Sequence, residues 1–326
     1  VKYHTRVGFV PVGAKRADGT PHPHAGTGFG FNTVIAWRTE YEGPPPYGVN
    51  MWGRDPKTNA FTNPAERYTY LEVYQLAYDG NTFRVVKTDR VSSKDLLAGW
   101  DIPNGALTNA IPDGDDLLLG MPGTIVVGAV SIPGERAYGS GVMRWSRQGE
   151  DWRPVSFVPV TGGDSASESS LVRDIDGTLL FGARGSREPR HWKAAGVNNP
   201  DYDIRVWRSD DNGESWSKAI HVRGAVSSAP ITLNQAADGT PYIVANVYEV
   251  YLHPLGKIKV MPDAEGRHRA GGWPRKTLGI WPLNEDRTAL ETPIVARDCR
   301  GEWGPPPGGT TWTIDHPSAM TVQLAD

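Results

Sequence analysis

Asp-Gly pairs stand at Asp113-Gly114, Asp176-Gly177 and Asp238-Gly239, 63 and 62 residues apart, and each divides two apolar or alternating runs. The three stretches read ALTNAIPDGDDLLLGMP, SSLVRDIDGTLLFGARG and ITLNQAADGTPYIVANV. Asp and Gly tolerate the positive φ of a tight turn, so two strand-like runs joined by this pair predict a β-hairpin. Three hairpins in step predict a sheet repeated along the chain. A looser copy opens the sequence around Asp18-Gly19, and the final AMTVQLAD places Asp326 where a fifth copy would turn.

Each hairpin is followed by a second turn-like segment that ends in an aromatic residue. These are AYDGNTF (77–83), SRQGEDW (146–152), SDDNGESW (209–216) and, with a proline-rich insertion, ARDCRGEWGPPPGGTTW (296–312). Hairpin plus hairpin makes a four-stranded unit of roughly 60 to 95 residues, the size of a β-propeller blade. The expectation is one all-β domain over residues 1–326 with an incomplete last blade. The insertions EGPPPYGVNMWGRDPKTNAF (42–61) and PRHWKAAGVNNPDY (189–202) are then loops over one face, where propellers build their sites.

Composition agrees and narrows the partners. The 38 Gly and 27 Pro supply turns, while 12 Trp and 12 Tyr favour strands over long helices. With 34 Lys and Arg against 37 Asp and Glu, the net charge of -3 gives no basic field for a nucleic acid backbone. Cys299 is the single cysteine, which excludes an internal disulfide and argues against a Cys/His zinc site. No apolar run approaches the roughly 18 residues of a membrane-spanning helix. VKYHTRVGFV has neither the charged nor the apolar region of a signal peptide, and its first residue is Val, which suits a processed or trimmed start.

SDDNGESW could be a calcium loop, an acid cluster or a turn. A calcium loop needs alternating acidic oxygens and a distal bidentate Glu, and that pattern does not follow. The octapeptide resembles the Asp-box, or BNR repeat, of the sialidase (neuraminidase) superfamily at Ser209, Asp211, Gly213 and Trp216. In this reading Ser and Asp bind amides of the turn, Gly takes the unusual φ, and Trp packs between blades. The resemblance implies a sialidase-like propeller of six blades, with five or seven as alternatives, and an exported protein. It also moves the search for chemistry from the outer hairpins to the inner strands.

SASESSLVRDIDGTLLFGARGS (165–186) resembles the sialidase segment in which a glutamate precedes a strand, an Asp-Gly turn follows and the return strand ends in an arginine. The matching residues are Glu168 and Arg184. Sialidases hold the substrate carboxylate with three arginines, because planar guanidinium forks match a carboxylate in charge and shape. Arg6 in YHTRVGFV and Arg275 in WPRKTLGIW are placed like the other two. The resemblance implies a general acid from the first unit, which puts Asp55 first, with Glu42 and Glu66 behind it. It implies no cofactor, and an acidic oligosaccharide or glycoconjugate as partner.

The nucleophile departs from the pattern. A sialidase uses a tyrosine activated by glutamate, since a carboxylate nucleophile would be repelled by an anionic substrate. The matching stretch TIDHPSAMTVQLAD (313–326) has His316 or Pro317 at that place, and no tyrosine follows Tyr251. Three readings stand: a tyrosine from elsewhere, such as Tyr248 or Tyr251; His316 beside Asp315 as base or nucleophile; or a chain that binds without chemistry. A rival reaction is that of a propeller polysaccharide lyase, which would take the α-proton of a uronate while arginine neutralises its carboxylate. His22, His24, His191 and His253 show no spacing that commits them to a metal.

Overall fold

The computed structural model describes residues 5–37, 67–92, 96–97, 100–101, 110–126, 139–161, 166–185, 202–226, 230–247 and 277–298. Their strands form four antiparallel meanders. The first contains β1 (Thr5–Phe9), β2 (Thr27–Trp37), β3 (Arg67–Tyr78) and β4 (Phe83–Ser92). The second contains β5 (Trp100–Asp101), β6 (Ile111–Asp113), β7 (Asp116–Val126), β8 (Gly139–Gln148) and β9 (Asp151–Pro159). Both β5 and β6 pair with β7, at Ile125–Val126 and at Asp116–Leu118, so they act as two pieces of one interrupted inner strand. The third is β10 (Ala166–Arg173), β11 (Leu179–Gly185), β12 (Tyr202–Ser209) and β13 (Ser217–Val226). The fourth is β14 (Thr232–Gln235), β15 (Pro241–Asn246), β16 (Thr277–Pro282) and β17 (Ile294–Asp298).

Period-two alternation explains how these sheets stack. In β7, Leu117, Leu119 and Met121 join Phe29, Phe31, Leu71 and Val73 of the first sheet, while Leu118 on the opposite face joins Leu171, Leu179 and Phe181 of the third. In β11, Leu179, Phe181 and Ala183 face the second sheet, and Leu180 faces Leu233 and Ile243 of the fourth. The stretches Leu117–Met121 and Leu179–Ala183 are apolar without interruption because both of their faces are covered. The two middle sheets are therefore sandwiched between neighbours taken in chain order, which is how propeller blades pack. The described residues comprise four blades; the expected fifth copy and the closure of a six-bladed ring lie outside them.

The Asp-Gly pairs fall on the inner turns as expected, with Gly114, Gly177 and Gly239 at φ 59°, 90° and 84°. The octapeptide 209–216 forms the outer turn of blade three. Ser209 Oγ donates to Asp211 Oδ1 at 2.7 Å and accepts from the Gly213 N–H at 2.8 Å. Asp211 also accepts from the Ser215 N–H at 2.9 Å and from the Ser215 hydroxyl. Trp216 is partly buried against Phe181, 5.8 Å between ring centres, and its Nε1 donates to the Gly213 carbonyl. In the fourth blade the expectation is corrected. Its outer turn spans 283–293, not 296–312, and is organised by Asn284, whose Oδ1 accepts from the Thr288 and Ala289 amides.

The two rims of the blades differ. Inner and outer turns of one rim are tied across every described blade interface by an arginine on an aspartate: Arg16 to Asp115, Arg173 to Asp113, and Arg287 to Asp174. The opposite rim is where β2, β7, β11 and β15 end and β3, β8, β12 and β16 begin. The long connections 38–66, 127–138, 186–201 and 248–276 all leave from it.

Candidate functional site

On that rim β10 begins and β11 ends, and the two pair in register except at one point. Ser167 faces Arg184 and Ser169 faces Ala183, which leaves Glu168 as an extra residue in a β-bulge. Its φ is 58°, in the left-handed region where a residue with a side chain is strained. The bulge carries the carboxylate onto its neighbour across the hairpin, with Glu168 Oε2 2.7 Å from Arg184 Nη2. Arg184 is the more buried partner, its side chain 13 % exposed against 28 % for Glu168. By alternation from Leu180 and Gly182, which lie against blade four, Arg184 belongs to the same face of the sheet. Residues sixteen apart in sequence thus meet across the hairpin. A guanidinium held by a carboxylate at a strand end can exchange that partner for an acidic ligand.

A second charged group on the same rim was not visible in the sequence. Asp203 and Arg205 lie two apart on β12 and so share a face; Arg205 Nη2 is 3.1 Å from Asp203 Oδ2. The same oxygen lies 2.8 Å from His221 Nε2 on β13. The Asp203 and Arg205 side chains are only 6 % and 10 % exposed. Arg205 lies over Gly185, where a methyl group added to the glycine would come within 2.3 Å of the Arg205 Nε. One carboxylate shared by a guanidinium and an imidazole fixes the imidazole's orientation. The pairing of Asp203 with Arg205 follows from strand periodicity; His221 arrives from another strand, and nothing local in AIHVRG announces it.

Of the other residues singled out by sequence, Arg6 lies in β1 opposite Phe31, and its side chain is outside what the structure describes. Asp55, Arg275 and His316 lie outside the described residues, as do Glu42, Glu66, Tyr248, Tyr251, Asp315, His191, His253 and Cys299. His22 and His24 sit on the turn rim. There the His22 ring is within 2.9 Å of the Gly114 carbonyl, and His24 packs edge-on against Trp152. Among the described residues no three His, Cys, Asp or Glu side chains gather to hold a metal, and no helix is long and apolar enough to cross a membrane.

An open depression of about 400 Å³ lies on the turn rim between blades three and four, floored by Arg173, Asp174, Ile175 and Asp238. Two of its charged groups are already engaged in the blade-to-blade ties, Arg173 with Asp113 and Asp174 with Arg287. The Glu168–Arg184 pair is at the other end of the strands.

No family model and no curated protein matches this chain. Among solved structures, a Dyadobacter fermentans protein of unknown function aligns with TM-score 0.46 and 11 % identity, over 90 % of this chain and 69 % of that one. Trypanosoma rangeli sialidase aligns with TM-score 0.43 and 10 % identity, over 91 % of this chain and 38 % of its own. NanB sialidase from Streptococcus pneumoniae aligns with TM-score 0.41 and 11 % identity, over 89 % and 48 %. This chain thus spans less than half the length of those two sialidase chains. At this level of similarity the blade architecture rests on the sheets themselves and on their packing.

Proposed function

We propose that this protein is a sialidase-like exo-glycosidase that removes a terminal acidic sugar, sialic acid or a related one. The observation that carries the reading is the contact between Arg184 and Glu168 at the open end of an inner hairpin, opposite its Asp-Gly turn. Arg184 grips the ligand's carboxylate, with Arg6 and Arg275 completing the clamp from other blades; guanidinium forks suit a planar acid better than lysine does. Asp55 protonates the departing glycosidic oxygen. Glu168 tunes the nucleophile or acts as base, and His316 beside Asp315 is the candidate base or nucleophile from the last unit. An oxocarbenium-like transition state needs fixed charge and a proton donor, both within reach of protein groups alone.

A second reading, a propeller that binds acidic glycans without cleaving them, is favoured by one feature: the Glu168 carboxylate is held by Arg184. A lyase acting on a uronate is the third. The three separate on product. Hydrolysis of sialosides releases reducing sugar without ultraviolet absorbance, uronate elimination creates an absorbing unsaturated sugar, and a binding propeller does neither. With the wild-type protein as hydrolase, Arg184→Ala lowers kcat/KM on the order of 100-fold, and Arg184→Lys recovers part of it. Full activity in both Arg184→Ala and Glu168→Gln would remove the site.

A further inference from the structure

Resting on that reading of the rim, we infer that Glu168 occupies the place of the ligand's own acid, so that an acidic sugar enters by exchanging its carboxylate for that of Glu168 on Arg184. Three observations converge. The Glu168 side chain is the more exposed member of the pair, 28 % against 13 % for Arg184, although its Oε2 is buried at the contact. Glu168 is also the extra residue of the bulge, between the pairs Ser167–Arg184 and Ser169–Ala183, so residue 168 can turn outward without breaking the ladder. Finally, the bound arrangement is strained and imperfect. The φ of 58° is released if the residue moves to the extended region, and Oε2, though 2.7 Å from Nη2, receives no aligned hydrogen bond among the described residues.

An ion pair of this kind is weaker than a forked, aligned contact between a guanidinium and a second carboxylate. The exchange therefore runs toward an acidic ligand and has no driving force for a neutral one. It also has a chemical consequence: Glu168 becomes available as a base only once an acid has taken its place. Entry of the correct substrate would thereby arm the group that activates the attack.

Titration calorimetry on four proteins tests this, with N-acetylneuraminic acid and glucuronic acid as probes and N-acetylglucosamine as the neutral control. The wild type is compared with Glu168→Gln, Glu168→Gly and Arg184→Ala. Glycine is included because it accepts the φ of residue 168 without strain, should the Gln variant fold poorly. Removal of the competing charge is expected to tighten binding of at least one acidic sugar about two- to fivefold, the worth of one partly exposed ion pair. The neutral sugar is unmoved, and Arg184→Ala loses the acid. Acid binding that is unchanged or weaker in both Glu168 variants, with Arg184→Ala still defective, would overturn the exchange and leave Glu168 as a residue that holds Arg184 in place. Equal binding by Arg184→Ala and wild type, or none by either, would instead overturn the proposed function.

Discussion

Arg287 on the outer turn of blade four grips Asp174 on the inner turn of blade three through two bonds, Nε to Oδ2 at 2.6 Å and Nη2 to Oδ1 at 3.3 Å. The Asp174 side chain is 3 % exposed, whereas Arg16 and Asp115, which tie blade one to blade two with a similar fork, are both 43 % exposed. The same pair of residue types thus contributes differently at the two interfaces, because water competes for one and not for the other.

Arg287→Ala leaves the Asp174 carboxylate buried without its guanidinium and is expected to lower stability by about 2–3 kcal/mol. Arg16→Ala should barely move it. Urea unfolding of the two variants side by side checks the contrast, and equal losses would show that burial does not set the strength of these ties.

Asp211 is held at about 2, below its usual 3.8, first by the Ser215 hydroxyl and then by the Ser215 amide and the Ser209 hydroxyl. The unfolded chain binds the proton more readily, so the stabilisation is complete above about pH 4 and is lost as pH falls through about 2. Asp211→Ala should flatten the acid limb of stability over that window. The check is the urea midpoint measured at successive pH values for wild type and variant.

His24 titrates below its usual 6.5, chiefly because burial beside Trp152 disfavours the charged ring, and next because Arg147 repels it. A histidine depressed in the folded state stabilises fully above pH 6.5 and loses that contribution as pH falls through the folded value. Replacing it with Gln removes this slope while the carboxylate-driven slope at lower pH persists. Thermal unfolding between pH 7 and pH 5 distinguishes them.

Gly185→Ala would place a methyl 2.3 Å from Arg205 Nε. The guanidinium end of an arginine usually yields, but this one is 10 % exposed and held by Asp203, so displacement breaks the group shared with His221. A loss of about 2 kcal/mol is expected. Gly120→Ala is the control: its new methyl would meet Phe181 and Ser169 at an ordinary 3.5 Å, and stability should stay within about 1 kcal/mol. Thermal melts of both variants decide it; similar losses would mean that glycine is not needed at 185 to seat Arg205.

Much of the blade pattern can be read from the chain because the signals are local. Asp176-Gly177 lies in a turn that closes within Asp174–Thr178, and the run LLFGA declares a strand with both faces covered. The turn at 209–216 closes on itself through Ser209, Asp211 and Gly213, all within one octapeptide. The fourth outer turn escapes such a reading because its organiser, Asn284 with Thr288 and Ala289, carries no Asp-Gly or terminal aromatic, whereas the Gly- and Pro-rich stretch after it ends in one.

The periodic frame is written in the residues alone: hairpins at a fixed spacing, apolar residues alternating to both faces, and a Glu and an Arg at opposite ends of one hairpin. Which side chains meet is settled only in the folded chain. A one-residue bulge turns Glu168 onto Arg184, and neighbouring strands bring His221 to Asp203, while adjoining blades set Arg287 on Asp174. Side-chain partnership depends on strand register and on the angle between sheets, both fixed by contacts among residues far apart in the chain, so no local stretch could specify it.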